Sequence, residues 1–186
     1  MSRLTPPVSD SDHGTGPADA RVTFVEYGDY ECPHCGRAYP IIHEVQRRMG
    51  RHLRFVFRNF PLSEMHPHAE HAAEAAEAAG AQGRFWEMHD WLYEHQETLD
   101  DPDLVRAAQR LVLDRVRFEQ ELAAGVHAAR VRQDFKSGVK SGVNGTPTFF
   151  INGVRHDAPW DLETLLEALQ DAGEGAVPPA ARKRKP

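Results

Sequence analysis

Cys32 and Cys35 are the only cysteines of the chain, and they stand in the run Cys32-Pro33-His34-Cys35. Two thiols one helical turn apart can close a small disulfide, exchange it with another thiol, or supply two ligands to a metal ion. They are too few for the multi-bridge framework of a small secreted domain, or for a four-sulfur zinc or iron–sulfur centre. The residues after the pair are helical in pattern to about Met49, and Pro33 suits the first helical position, where no backbone N–H is missed. A helix N-terminus carries about half a positive charge, with free N–H groups that favour a thiolate. Cys32 is therefore expected to be acidic and nucleophilic, and Cys35, one turn in and covered, to resolve the mixed disulfide. His34, when protonated, adds a positive group near the Cys32 sulfur.

Other uses of the pair stay open from the residues alone. A structural disulfide across so small a loop stabilises little and does not persist in a reducing cytoplasm. A zinc half-site needs histidines, and His66, His68 and His71 cluster in sequence, although the same run also describes an exposed helix start.

The elements that must position the pair follow from the hydrophobic pattern. Arg21 to Tyr27 reads as a strand with Val22, Phe24 and Glu26 on one face and Thr23, Val25 and Tyr27 on the other. Leu53 to Phe60 is a second strand, ended by Pro61, and the order strand–helix–strand implies parallel pairing with a right-handed crossover. From His66 to about Val139 the chain is Ala-rich and lacks strand-like runs, which predicts a helical subdomain of four or five helices. In it Phe85, Trp86, Met88, Trp91, Leu92 and Tyr93 recur at helical spacing and are read as core. Strand character returns at Thr148–Ile151, and Asn152-Gly153 predicts a tight hairpin into Val154–His156. Asp161 caps a last helix with Leu162, Leu165, Leu166 and Leu169 on one side. The fold class is α/β: a βαβ…ββα sandwich interrupted by an all-helical insertion. The expected division is a disordered tail over residues 1–20, sandwich over 21–62, insertion over 63–142 and sandwich again over 143–173. A flexible basic tail over 174–186 holds Arg182, Lys183, Arg184 and Lys185.

With these residues in place, the chain resembles the DsbA-type branch of thioredoxin-fold thiol–disulfide oxidoreductases. The likeness runs from about Arg21 to Ala172. It is carried by residues 24–40 (FVEYGDYECPHCGRAYP) and 142–153 (GVNGTPTFFING), which are similar to short bacterial DsbA-like proteins, some of them fused to transporters. The resemblance implies that Cys32 attacks and Cys35 resolves. It makes Pro147 the cis-proline facing the disulfide, with Thr146 before it offering backbone groups to an extended substrate. It also matches Glu26 to a buried acidic position. A carboxyl pointing inward there has a raised pKa and relays the proton of Cys35, whereas one at the sheet edge stays in water.

The implied activity is exchange of a Cys32–Cys35 disulfide with protein or peptide thiols, without a bound cofactor, and with a separate redox partner that resets the pair. The Pro33-His34 dipeptide leans towards an oxidising pair; Thr146, a valine in the oxidase prototype, is similar to isomerase and reductase relatives. The alternatives are a non-catalytic zinc- or peptide-binding module and a glutathione-dependent enzyme on the same fold, the latter disfavoured by Cys35. A net charge of -6 argues against nucleic acid as a partner. No apolar run matches a secretory signal or a membrane span, so with Met1 as the start the expected compartment is the cytoplasm.

Overall fold

The computed structural model describes residues 2–175. The basic run Arg182 to Lys185 lies outside them. Five strands, β1 (His13–Thr15), β2 (Val22–Gly28), β3 (Leu53–Asn59), β4 (Thr148–Ile151) and β5 (Val154–His156), form one sheet in the order β1-β3-β2-β4-β5. The central β2 and β3 are parallel, with Glu26 opposite Phe57, and are joined through helix α1 (Pro33–Met49). Strand β4 runs antiparallel to β2 and sets Phe149 beside Glu26. The turn into β5 takes the left-handed backbone at both Asn152 and Gly153, the conformation that lets two residues reverse a twisted pair.

Both faces of the sheet are covered, which is why β2 and β3 are buried almost throughout rather than alternating between core and water. On one face Val22, Phe24, Phe55, Phe57 and Phe149 pack with α1, with helix α7 (Leu162–Gly175) through Leu165 and Leu169, and with both cysteines. On the other, Val25, Tyr27, Val56, Phe60 and Phe150 pack with Leu4 and Phe135.

Between β3 and β4 lie the five helices α2 (Ala69–Gly80), α3 (Phe85–Glu94), α4 (Asp101–Arg110), α5 (Arg115–Ala123) and α6 (Ala128–Lys140). Asp100 and Asp114 cap α4 and α5 through their side chains. Phe85, Met88, Leu92 and Tyr93 of α3 are buried and join the core over the sheet, with Trp86 and Trp91 packed against them. The insertion is tied to the end of β3 by Asn59, whose amide donates to Glu77 of α2 at 2.8 Å and whose backbone N–H donates to Asp134 of α6 at 3.1 Å.

The N-terminal segment corrects the expected tail. Residues 13–15 pair antiparallel with β3, Leu4 is buried, and Arg3 bridges Val154 at the opposite edge of the sheet. Composition misreads this stretch because edge pairing uses main-chain groups that polar residues supply as well as apolar ones. Asp12 also answers a buried charge: Arg58, on β3, donates to Asp12 from Nε at 2.7 Å and from a terminal nitrogen at 3.0 Å, and to Tyr27 at 2.9 Å. Asp12→Ala leaves that guanidinium buried without its counter-charge, so urea unfolding should show a loss of about 3 kcal/mol. No change in the midpoint would show that water replaces the carboxylate.

Candidate active site

Cys32 is the N-cap of α1, with extended backbone, Pro33 at the first helical position and no acidic residue in the first turn. Its sulfur therefore lies in the field of the helix's positive end. Both thiols are free and buried, Cys32 at 4% exposure and Cys35 at 0%. The hydrogen bond from the Cys35 thiol is the main cause that lowers the Cys32 pKa to about 4; burial opposes it, and the backbone N–H groups of Cys35 and His34 assist. The Thr146 hydroxyl also lowers it, although that hydroxyl holds no hydrogen bond of normal geometry. Cys35 moves the other way: burial, the bond it gives to Cys32 and the charge of Glu26 push its pKa well above the ordinary thiol value. One turn of helix thus separates an acidic sulfur from a basic one.

Thr146 and Pro147 sit in the loop entering β4, their peptide bond is cis, and the Thr146 carbonyl lies 3.5 Å from the Cys32 sulfur. These groups, 114 positions apart in the chain, are brought together by the antiparallel pairing of β4 with β2. Glu26, on β2 beneath the pair, is 1% exposed, and one carboxyl oxygen has no hydrogen-bond partner. Burial, with a smaller push from Cys32, raises its pKa to about 8, so it holds a proton at neutral pH.

His34 lies differently from the sequence expectation. Its ring sits on the exposed side of α1, where Arg37 donates to Nδ1 at 2.8 Å; what it gives Cys32 is its backbone N–H. The three clustered histidines do not converge either. His66, His68 and His71 each take a separate carboxylate, Asp29, Glu31 and Asp101. Among the described residues no group of three His, Cys, Asp or Glu side chains is placed to hold a metal ion. Tyr30 is buried, with its hydroxyl 3.1 Å from Nδ1 of His89, whose pKa burial lowers to about 3.

Gln96, just after α3, carried no sequence signal. Its amide nitrogen donates to the carbonyls of Tyr30 at 2.7 Å and Cys32 at 3.0 Å, and Gly36 leaves room for it: a Cβ there would lie 1.9 Å from the amide oxygen. This clamp ties the insertion to the first turn of α1. Gln96→Leu removes both donors and should lower stability by about 1–3 kcal/mol while raising the pH midpoint of Cys32 alkylation. An unmoved midpoint would reduce the clamp to packing.

The family model described as thioredoxin matches residues 9–171. The chain belongs to the thioredoxin family. Among curated relatives, Na+/H+ antiporter NhaA 3 of Salinispora tropica is 48% identical over 169 residues, which are 91% of this chain and 26% of that protein. Na+/H+ antiporter NhaA 1 of Mycobacterium sp. strain KMS is 44% identical over 174 residues, 91% of this chain and 28% of its own. The chain thus spans about a quarter of the length of these relatives. Of solved structures, oxidised BdbD from Bacillus subtilis superposes with a TM-score of 0.82 at 24% identity, covering 94% of this chain and 98% of that one. A thioredoxin-like oxidoreductase from Silicibacter pomeroyi reaches 0.79 at 26% identity, covering 89% and 94%. Wolbachia pipientis alpha-DsbA1 reaches 0.77 at 19%, covering 93% and 96%. The helix-interrupted sandwich is therefore the fold that this family shows in its DsbA-like members. No helix among the described residues is long and apolar enough to cross a membrane.

Proposed function

We propose that the protein is a thiol–disulfide oxidoreductase that accepts electrons from protein thiols through Cys32 and Cys35. The observation that carries this reading is the acidic Cys32 sulfur at the cap of α1, facing the Thr146 carbonyl, with Cys35 buried behind it. In the oxidised protein a substrate thiolate attacks the Cys32 sulfur and the Cys32–Cys35 bond breaks. Its electron pair leaves on Cys35, which takes the proton held by Glu26. A second substrate thiolate then attacks the substrate sulfur of the mixed disulfide. Cys32 departs as a thiolate, and the substrate gains a disulfide. A low-pKa thiolate leaves readily, and its stability favours the reduced pair, which is why this direction is assigned. The main chain beside Pro147 offers an extended peptide a docking edge that does not depend on its side chains.

In a reducing cytoplasm such a pair stands reduced and passes electrons to partner disulfides; where an oxidising partner withdraws electrons and restores the disulfide, it accepts electrons from substrate thiols. The matched region lies within proteins named as antiporters, which makes a transporter one substrate to test. A Cys35→Ala variant whose Cys32 is first loaded as a mixed disulfide with an aromatic thiol should be attacked by such a partner's thiolate, release the aromatic thiolate and keep the partner as a mixed disulfide.

The test of the function is alkylation of Cys32 against pH together with turnover of a disulfide protein such as insulin. A midpoint near 4, with turnover lost in a folded Cys32→Ser variant, supports it. A midpoint near the ordinary thiol value of 9.0, without turnover, overturns it.

A further inference from the structure

Two carboxylates stand immediately before the redox pair, and the loop between β3 and α2 meets each with a histidine. The Asp29 side chain is fully buried. It accepts the backbone N–H of Glu31 and of Leu62, each at 2.8 Å, and Nδ1 of His66 at 2.8 Å. Its own carbonyl accepts the N–H of Cys32 at 3.2 Å. Glu31 holds the backbone N–H of His68 at 2.6 Å and its Nδ1 at 2.9 Å. The loop is therefore fastened to the turn that carries Cys32 into α1, and His66 is the more buried of its two histidines, with 14% of its side chain exposed against 47% for His68.

A buried carboxylate three residues from a thiolate is an adverse arrangement, because like charges in a poorly solvated site raise each other's pKa. An imidazolium seated on Asp29 offsets that charge on the turn that carries Cys32. The ring of His34 is turned to Arg37, leaving His66 as the imidazole fixed on Asp29. We infer that His66 is a positioning residue for the redox pair: seated on Asp29, it cancels that charge beside Cys32 and so holds the thiolate in its stable form. The inference rests on the reading of Cys32 as the reacting thiolate. Burial opposes protonation of His66, but the charged groups that bear on it across the turn, Asp29, Cys32 and Glu31, together raise its pKa. By reciprocity, an imidazolium that Cys32 favours must favour the Cys32 thiolate.

Three proteins test this: wild type, His66→Gln and the double variant Asp29→Asn with His66→Gln. Glutamine keeps a donor towards Asp29 and removes only the charge. The alkylation midpoint of Cys32 should rise by about one pH unit in His66→Gln. The equilibrium with glutathione should then shift about tenfold, or roughly 30 mV, towards a less oxidising pair. The double variant, with neither charge, should return towards wild type. A low wild-type midpoint that His66→Gln leaves unmoved overturns this inference alone. A wild-type midpoint near an ordinary thiol overturns the reading of Cys32 and this inference with it. Should the variants fail to fold, the intact protein still decides: the NMR titration of His66 should have a higher midpoint in the reduced form, where Cys32 is charged, than in the disulfide form. Equal midpoints overturn the inference.

Discussion

Glu26→Gln is expected to stabilise the reduced protein by about 3 kcal/mol at pH 7, rising to about 5 kcal/mol above pH 8. The carboxyl is raised from an ordinary 4.5 to about 8, mainly by burial and further by the charge on Cys32. A raised folded-state pKa means that the native protein binds a proton that the unfolded chain releases. The stability carried by the protonated acid is complete below pH 4.5, declines as pH rises, and is gone once pH passes about 8. Glutamine is neutral throughout, so the variant and the parent should coincide near pH 4 and diverge above it. In the disulfide form Cys32 has no charge, and the gain should be smaller. On the proposed mechanism the same substitution also removes the proton donor to Cys35, whose thiol is pushed well above its ordinary pKa. Turnover should therefore fall by about 10²-fold even as stability rises. Urea unfolding across pH, in both redox states, checks the first half, and stopped-flow oxidation of a dithiol peptide checks the second. Parallel stability curves for parent and variant would mean that Glu26 is ionised and wet.

The second large effect is on the two redox states themselves. Cys32 falls from an ordinary 9.0 to about 4, so at pH 7 the reduced native protein holds a thiolate where the unfolded chain holds a thiol. The difference between pH 4 and pH 7 is worth about 4 kcal/mol in full, and solvent screening at the mouth of the site reduces it to about 2–3 kcal/mol. The reduced protein should therefore melt roughly 5–10 °C above the oxidised one at pH 7. The disulfide opposes this little, because so short a loop removes little entropy from the unfolded chain. The sign with pH is the reverse of that for Glu26. A depressed pKa gives stability that is complete above pH 9, shrinks as pH falls, and vanishes below about pH 4. Calorimetry of both forms between pH 4 and pH 8 tests it; an oxidised form that melts at or above the reduced one at pH 7 would refute it.

The features legible in the sequence are those set by short-range pattern. The alternation of Val22, Phe24 and Glu26 marked a strand, and Pro33 after Cys32 marked a helix start. Asn152-Gly153 marked the reversal between β4 and β5, where both residues take positive φ. Each depends on residues that touch their own neighbours in sequence. The N-terminal segment escaped because its order comes from the edges of a sheet formed by residues far along the chain: β1 needs β3, and Leu4 needs Val25, Val56 and Phe150.

The same division runs through the site. Local pattern alone puts two thiols on one turn at the start of a helix, close enough to act as a pair. The tertiary structure decided what surrounds them. It brought the Thr146 carbonyl to Cys32, placed Glu26 under the pair without a partner for one oxygen, turned the His34 ring out to Arg37, and recruited Gln96 and His66 from the insertion side. The physical reason is that a sulfur's acidity is set by the local field, the sum of every charge, dipole and buried surface within a few ångströms. Spacing along the chain fixes only the helix's share of that field, and packing fixes the rest.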